Sequence, residues 1–173
     1  MHAKRKLLQT LTMRIGTLLL GAVLVLAGCD AGGSNEEEPP GAEVAVAQND
    51  SLGAYLVDES GVSLYLFVDE EGNPAPCTSD ACLEAWPPFS TEGDPVAGNG
   101  TDASLLGTIE GPDGATQVVY NGWPLWYFAG DQGPGDVNGQ GIVSFGGTWL
   151  LVSPSGDGIE VAGENGAGRR LAE

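Results

Sequence analysis

Histidine is almost missing from this chain of 173 residues: the only one is His2. Methionine occurs only at Met1 and Met13, and no Lys or Arg lies between Asp30 and Gly168. Cationic residues are confined to the ends, as Lys4, Arg5, Lys6, Arg14, Arg169 and Arg170. These absences exclude whole chemistries from a mature chain starting near residue 29. Without imidazole there is no Ser-His-Asp or Cys-His engine and no His ligand for zinc, copper or haem. Without Lys there is no Schiff base and no phosphate-cradling Walker A lysine. All 24 acidic residues lie at or after Asp30, against two arginines there, so this part carries −22. Such a surface is repelled by nucleic-acid phosphates, and nucleic acid is excluded as a partner.

What is present begins with an address. Four positive charges in residues 1–14 precede Ile15–Gly28, an uncharged and largely apolar run. A membrane-spanning helix needs about 20 apolar residues, so the run is short for a span and fits the apolar region of a signal peptide. It ends in Leu26-Ala27-Gly28-Cys29, which resembles the lipobox of bacterial lipoproteins. That resemblance implies lipidation of Cys29, removal of residues 1–28, and an extracytoplasmic protein held to a bacterial membrane as its first partner. Asp30 slightly favours the outer leaflet of the inner membrane over the outer membrane.

With Cys29 lipidated, Cys77 and Cys82 remain as a pair in an oxidising compartment. In one straight helix their Cα atoms would stand about 8–9 Å apart, beyond the roughly 7 Å a bridge tolerates. Cys77 is therefore expected in a loop or at the lip of a short helix running from about Ser79 to Ala85 and stopped by Pro87-Pro88. The alternative, a redox dithiol, has the wrong spacing and no nearby positive charge to acidify a thiol. A structural disulfide is the favoured reading.

Residues 29–42 form an acidic, Gly/Pro-containing tether after Cys29, and 163–173 a flexible tail. Between them, 43–162 is expected to be one domain. Sliding the chain by 61 positions lays Gly61-Val62-Ser63-Leu64-Tyr65-Leu66-Phe67 over Gly122-Trp123-Pro124-Leu125-Trp126-Tyr127-Phe128, with Val57 over Val118 and Glu70 over Asp131. Each half then reaches a Trp, Trp86 or Trp149, so the domain reads as two repeats, about 43–89 and 104–152. The local patterns are β: strands at Val44–Gln48, Ala54–Val57, Thr116–Tyr120, Leu125–Ala129, Thr148–Ser153 and Ile159–Ala162, with a tight hairpin at Asn121-Gly122. Leu64, Leu66 and Val68 should face one way and Tyr65 and Phe67 the other. The expected fold is all-β, a compact antiparallel sandwich or partly closed barrel from two pseudo-symmetric repeats, with one short helix after Cys77.

Several blocks resemble bacterial lipoproteins and secreted repeats with a Y-x-[FWY]-x-x-D motif. They are Tyr65-Leu66-Phe67-Val68-Asp69-Glu70, Trp126-Tyr127-Phe128-Ala129-Gly130-Asp131, Ala85-Trp86-Pro87-Pro88, Pro134-Gly135-Asp136 and Gly139-Gln140-Gly141. The motif positions are Tyr65, Phe67 and Glu70, then Trp126, Phe128 and Asp131; Glu70 and Trp126 depart from the pattern. The resemblance implies no particular activity, since such proteins are mostly of unknown function.

Function is therefore expected to be non-enzymatic: an envelope binding or structural module with an unidentified ligand or partner. Trp86, Trp123 and Trp149 are candidates for an aromatic ligand groove. An alternative is a hard cation such as calcium, held by Asp131, Asp136 and Asn138 in the 131–140 loop, although Gly, Asp and Asn are also ordinary loop residues. A carboxylate-based hydrolase is the third reading, with no two acids marked as a pair. No other cofactor is expected. The charge is read as a halophilic trait, since molar salt screens self-repulsion.

Overall fold

The computed structural model describes residues 40–160. Their organisation is all-β. Strands β1 (Glu43–Asn49), β2 (Gly53–Asp58) and β3 (Tyr65–Val68) are followed by a short helix α1 (Asp80–Ala85) and β4 (Val96–Ala97). A single 3-10 turn, Ala103–Leu105, precedes β5 (Leu106–Glu110), β6 (Thr116–Tyr120), β7 (Trp123–Pro124), β8 (Val143–Ser144) and β9 (Gly147–Leu151). Three small sheets result, in the orders β2-β1-β4, β3-β9-β8 and β5-β6-β7. None closes into a barrel. All named pairings are antiparallel except β1 with β4, which is parallel.

Short polar side chains shape the turns. Asn49 Oδ1 accepts from the amides of Ser51 and Leu52 between β1 and β2. Asp58 Oδ1 does the same for Ser60 and Val62, and Asp113 Oδ1 for Ala115. This is the ordinary use of Asx side chains in tight turns. The turns after β2 and β6 each end on a glycine in the left-handed region, Gly61 at φ 84° and Gly122 at φ 82°. A side chain at that φ is strained, so both positions favour glycine.

Backbone pairing around the turn after β2 recurs around the turn after β6. Leu64 N–H donates to Leu56 C=O as Leu125 N–H donates to Val118 C=O. Leu56 N–H donates to Val152 C=O as Val118 N–H donates to Phe89 C=O. These pairs correct the gapless register of 61. Before the turn the true partner of Val118 is Leu56, 62 residues away, and only after it does the offset become 61. The first turn has one residue more: Asp58 pairs with Val62 across three residues, whereas Tyr120 pairs with Trp123 across two. A one-residue slip reverses faces in a strand. Accordingly Leu56 and Val118 share one apolar cluster, while Val57 lies in the other.

Those two clusters lie on opposite faces of β3. Tyr65 and Phe67 enter the first, with Cys77, Cys82, Trp86, Trp126 and Trp149. Leu64 and Leu66 enter the second, with Val44, Phe89, Val118, Tyr120 and Leu125. The alternation expected from sequence is thus observed. The expected strand Leu125–Ala129 is reduced to a bridging segment, because Pro124 cannot donate to a ladder and the chain turns to pair with two neighbours. At the C-terminal end Val152 bridges Gly158 and Ile159 N–H donates to Leu151 C=O, while the last expected strand residues, 161–162, lie outside the described residues.

The cysteines behave as spacing demands. Cys77 lies before the helix and bonds Cys82 inside it, with Cα atoms 5.7 Å apart. Ser79 caps the helix, its Oγ accepting from Cys82 N–H at 3.3 Å. Trp86 ends it, and Pro87-Pro88 prevent its continuation. Cys29, tether residues 29–39 and the tail 163–173 lie outside the described residues, whereas Ala42 at the end of the expected tether packs on the second cluster and its N–H donates to Thr91 Oγ1 at 2.9 Å.

Candidate functional site

The residues singled out by the motif converge where the two repeats meet. Tyr65 and Trp126 are equivalent positions, and they pair with each other: each amide donates to the other's carbonyl at 2.9 Å. Two equivalent residues exchanging both bonds in an antiparallel pair define a local twofold axis. Beside it, Phe67 pairs with Trp149 across β3 and β9, while Phe128 reaches Trp86 where Tyr127 N–H donates to Pro87 C=O and Ala129 N–H to Ala85 C=O.

These rings form a palindromic stack in the order Phe67, Trp149, Trp86, Phe128. The two indoles are parallel within 2° with centroids 3.8 Å apart. Phe67 lies on Trp149 at 4.0 Å, and Phe128 on Trp86 at 4.4 Å. Tyr65 stands edge-on to Trp86 and Trp126 edge-on to Trp149. Offset-stacked and edge-to-face contacts of this kind add about 0.5–1.5 kcal/mol each beyond burial itself. Trp86 and Trp149 are 1% and 0% exposed. Both expected groove residues are therefore core, and Trp123 belongs to the other apolar cluster. The three tryptophans do not form one groove.

At the edge of the stack, Tyr65 Oη donates to Asp131 Oδ2 at 2.8 Å and accepts from Gly139 N–H at 3.2 Å. Burial, then the bond to Asp131, pushes the Tyr65 hydroxyl far above the usual tyrosine range. Burial also pushes the Asp131 carboxyl up, against the lowering effect of Tyr65 and Asn138 and with the help of the Asp136 charge. A hydroxyl so held stays protonated near neutral pH. The twofold mate of this pair is Trp126 with Glu70, the two positions that depart from the motif. An indole there takes the place of the hydroxyl that Tyr65 carries.

The 131–140 loop folds over Tyr65. Asp131 Oδ1 accepts from Asn138 N–H at 2.9 Å, Asp136 Oδ2 from Gln132 N–H at 2.7 Å, and Ser63 Oγ donates to Asp136 C=O. Asn138 Nδ2 points to Gly130 C=O at 3.4 Å. Asp131, Asp136 and Asn138 thus share a loop, with oxygens of both carboxylates bound to its own amides or to Tyr65. Among the described residues no group of three or more His, Cys, Asp or Glu is placed to hold a metal ion.

Three contacts carry no signal in the sequence. Tyr127 Oη donates to Asp58 Oδ2 at 2.8 Å, joining the second repeat to the first turn. Gln117 is 1% exposed and its amide donates to Leu125 C=O at 2.8 Å. Gln140 Oε1 accepts from Leu151 N–H at 2.6 Å, tying the loop to β9. The Gly139-Gln140-Gly141 block was visible; its reason was not. A Cβ at Gly139 would stand 2.9 Å from the rings of both Trp86 and Tyr65, so only glycine fits over the stack.

Residues 107–153 match the family model described as a secreted repeat of unknown function. This is the family whose blocks the sequence resembles, and the match covers most of the second repeat, from β5 to just past β9. The matched model describes a secreted repeat and gives it no molecular role. No curated protein matches the chain, and no solved structure matches it. Among the described residues no helix is long and apolar enough to cross a membrane.

Proposed function

We propose that the mature chain is a lipid-anchored extracytoplasmic module without catalytic activity, acting as a binding or structural unit of the bacterial envelope. The observation that supports this most directly is the use made of the motif. Its aromatic rings stack on one another, and its tyrosine and carboxylate bond to each other across the repeats. The groups that would mark an active site are thereby occupied in joining two halves, and any ligand or partner meets the outer surface. Cys29 supplies the anchor and residues 30–42 hold the domain off the membrane, in the arrangement implied by the lipobox and the acidic tether.

Intact mass of the protein extracted from its own membrane tests the anchoring. The expected species starts at Cys29 and carries acyl mass, and Cys29→Ala leaves residues 1–28 attached. Native protein that retains the leader, or has a free thiol at position 29, contradicts it. Turnover of glycoside or ester substrates that disappears on changing two neighbouring carboxylates contradicts the non-enzymatic part.

A further inference from the structure

A cavity of about 170 Å³ opens on the surface between β3, β7 and β9, away from the aromatic stack. Its floor includes Val68, Leu150 and Trp123, all half-buried members of the second apolar cluster. Asp69, Glu71 and Glu160 stand at its margin. The turn carrying the first two is fixed, because Asp69 Oδ1 accepts from the amides of Glu71 and Asn73 at 3.0 and 2.8 Å. Glu71 and Glu160 are exposed, and the described residues contain no Lys, Arg or His that could neutralise them.

The two parts of the cavity select for one kind of occupant. An apolar floor gains from covering by an alkyl or methyl surface, and gains nothing from a hydrated metal ion. An acidic margin repels anions and attracts cations, with no competing cation among the described residues. Tryptophan is also the best aromatic partner for a quaternary ammonium group. The volume is below the roughly 300–1,000 Å³ of pockets for drug-sized ligands, so the occupant is small. We propose that this cavity binds a small organic ammonium ion, its alkyl part on Val68, Leu150 and Trp123 and its charge beneath Glu71 and Glu160. The inference rests on the binding-module reading and not on the lipid anchor.

The test uses the full chain in non-ionic detergent, titrated with butyltrimethylammonium chloride and followed by calorimetry and tryptophan emission. The neutral tert-butyl analogue and sodium chloride at equal concentration serve as references. A saturable response is expected for the ammonium compound, at least about threefold weaker for the neutral analogue, in line with one cation–π contact plus rim charge. The exposed double variant Glu71→Gln/Glu160→Gln should weaken binding by a similar factor without changing the melting temperature. Trp123→Leu should do so as well; if it unfolds, the double variant alone decides. A response that does not saturate, that sodium chloride reproduces, or that the double variant leaves intact overturns the proposal. Such a result leaves the mass test of the lipid anchor untouched, so the two failures are distinguishable.

Discussion

Trp86 and Trp149 lie face to face with ring centroids 3.8 Å apart, one from each repeat, and a phenylalanine covers the outer face of each. The stack is the physical joint between the halves. Neither repeat alone can bury its own tryptophan in this way, since the covering surface comes from the other. The motif residues then read as assembly chemistry: rings to stack across the axis, and a tyrosine–carboxylate bond to clasp them.

Removing either indole should therefore cost heavily. Trp86→Ala or Trp149→Ala is expected to lose about 3–5 kcal/mol of unfolding free energy, as for other buried aromatic truncations. Because the rings touch, the double variant should be less damaging than the sum of the singles, by about 0.5–3 kcal/mol. Urea unfolding of the four proteins measures both quantities; additive losses would show that the stack is not a unit.

The alkaline limb of stability reports on the buried tyrosines. The folded-state hydroxyl of Tyr65 is held above the ordinary value of 10.0 by burial and by Asp131, so the fold keeps a proton that the unfolded chain releases. Stability is complete below about pH 10 and falls above it, with a slope near 1.4 kcal/mol per pH unit for one such group. Tyr127, half-buried and bonded to Asp58, shifts in the same direction and adds to this slope. Tyr65→Phe should flatten this limb, read from melts between neutral and strongly alkaline pH; an unchanged slope would mean that Tyr65 ionises freely. Asp131 works in the acid range, where its raised folded-state value means that stability is gained as pH falls and lost as pH rises through that value.

Much of this organisation was legible in the chain, and the parts that were not have physical reasons. Alternation in Leu64–Val68 and the spacing of Cys77 and Cys82 follow from local geometry, and both hold. The repeat was legible too, but its register slipped because loop length, not side-chain similarity, sets which strand residue faces which core. Strands β4, β5 and β8 escaped notice because two are only two residues long and β5 is mostly exposed, leaving no apolar period to detect. The tryptophans were visible as a set, yet composition cannot tell a groove from a closed stack. Tyr127 and Asp58 are 69 residues apart, and nothing local connects them.

Charge gives a separate expectation. Acids outnumber bases 24 to two after residue 29, and no cation lies between Asp30 and Gly168 to offset them. At about 1 M salt the screening length falls to roughly 3 Å and this repulsion is largely removed. The melting midpoint of the full chain should rise from low to molar potassium chloride. A flat or falling midpoint would show that the acids carry no net repulsive cost, with many of them spent on turn hydrogen bonds such as those at Asp58, Asp69 and Asp113.

The clasp itself can be isolated by a double-mutant cycle on Tyr65 and Asp131, using Tyr65→Phe, Asp131→Ala and the pair, with unfolding free energy as the readout. Contacts of Asp131 with its own loop cancel in the cycle, leaving the bond that crosses the repeats. A coupling of about 1.5–3 kcal/mol is predicted, the range for a buried hydrogen bond to a charged group. A coupling indistinguishable from zero, with all four proteins folded, would contradict the claim that this motif exists to hold the two repeats together.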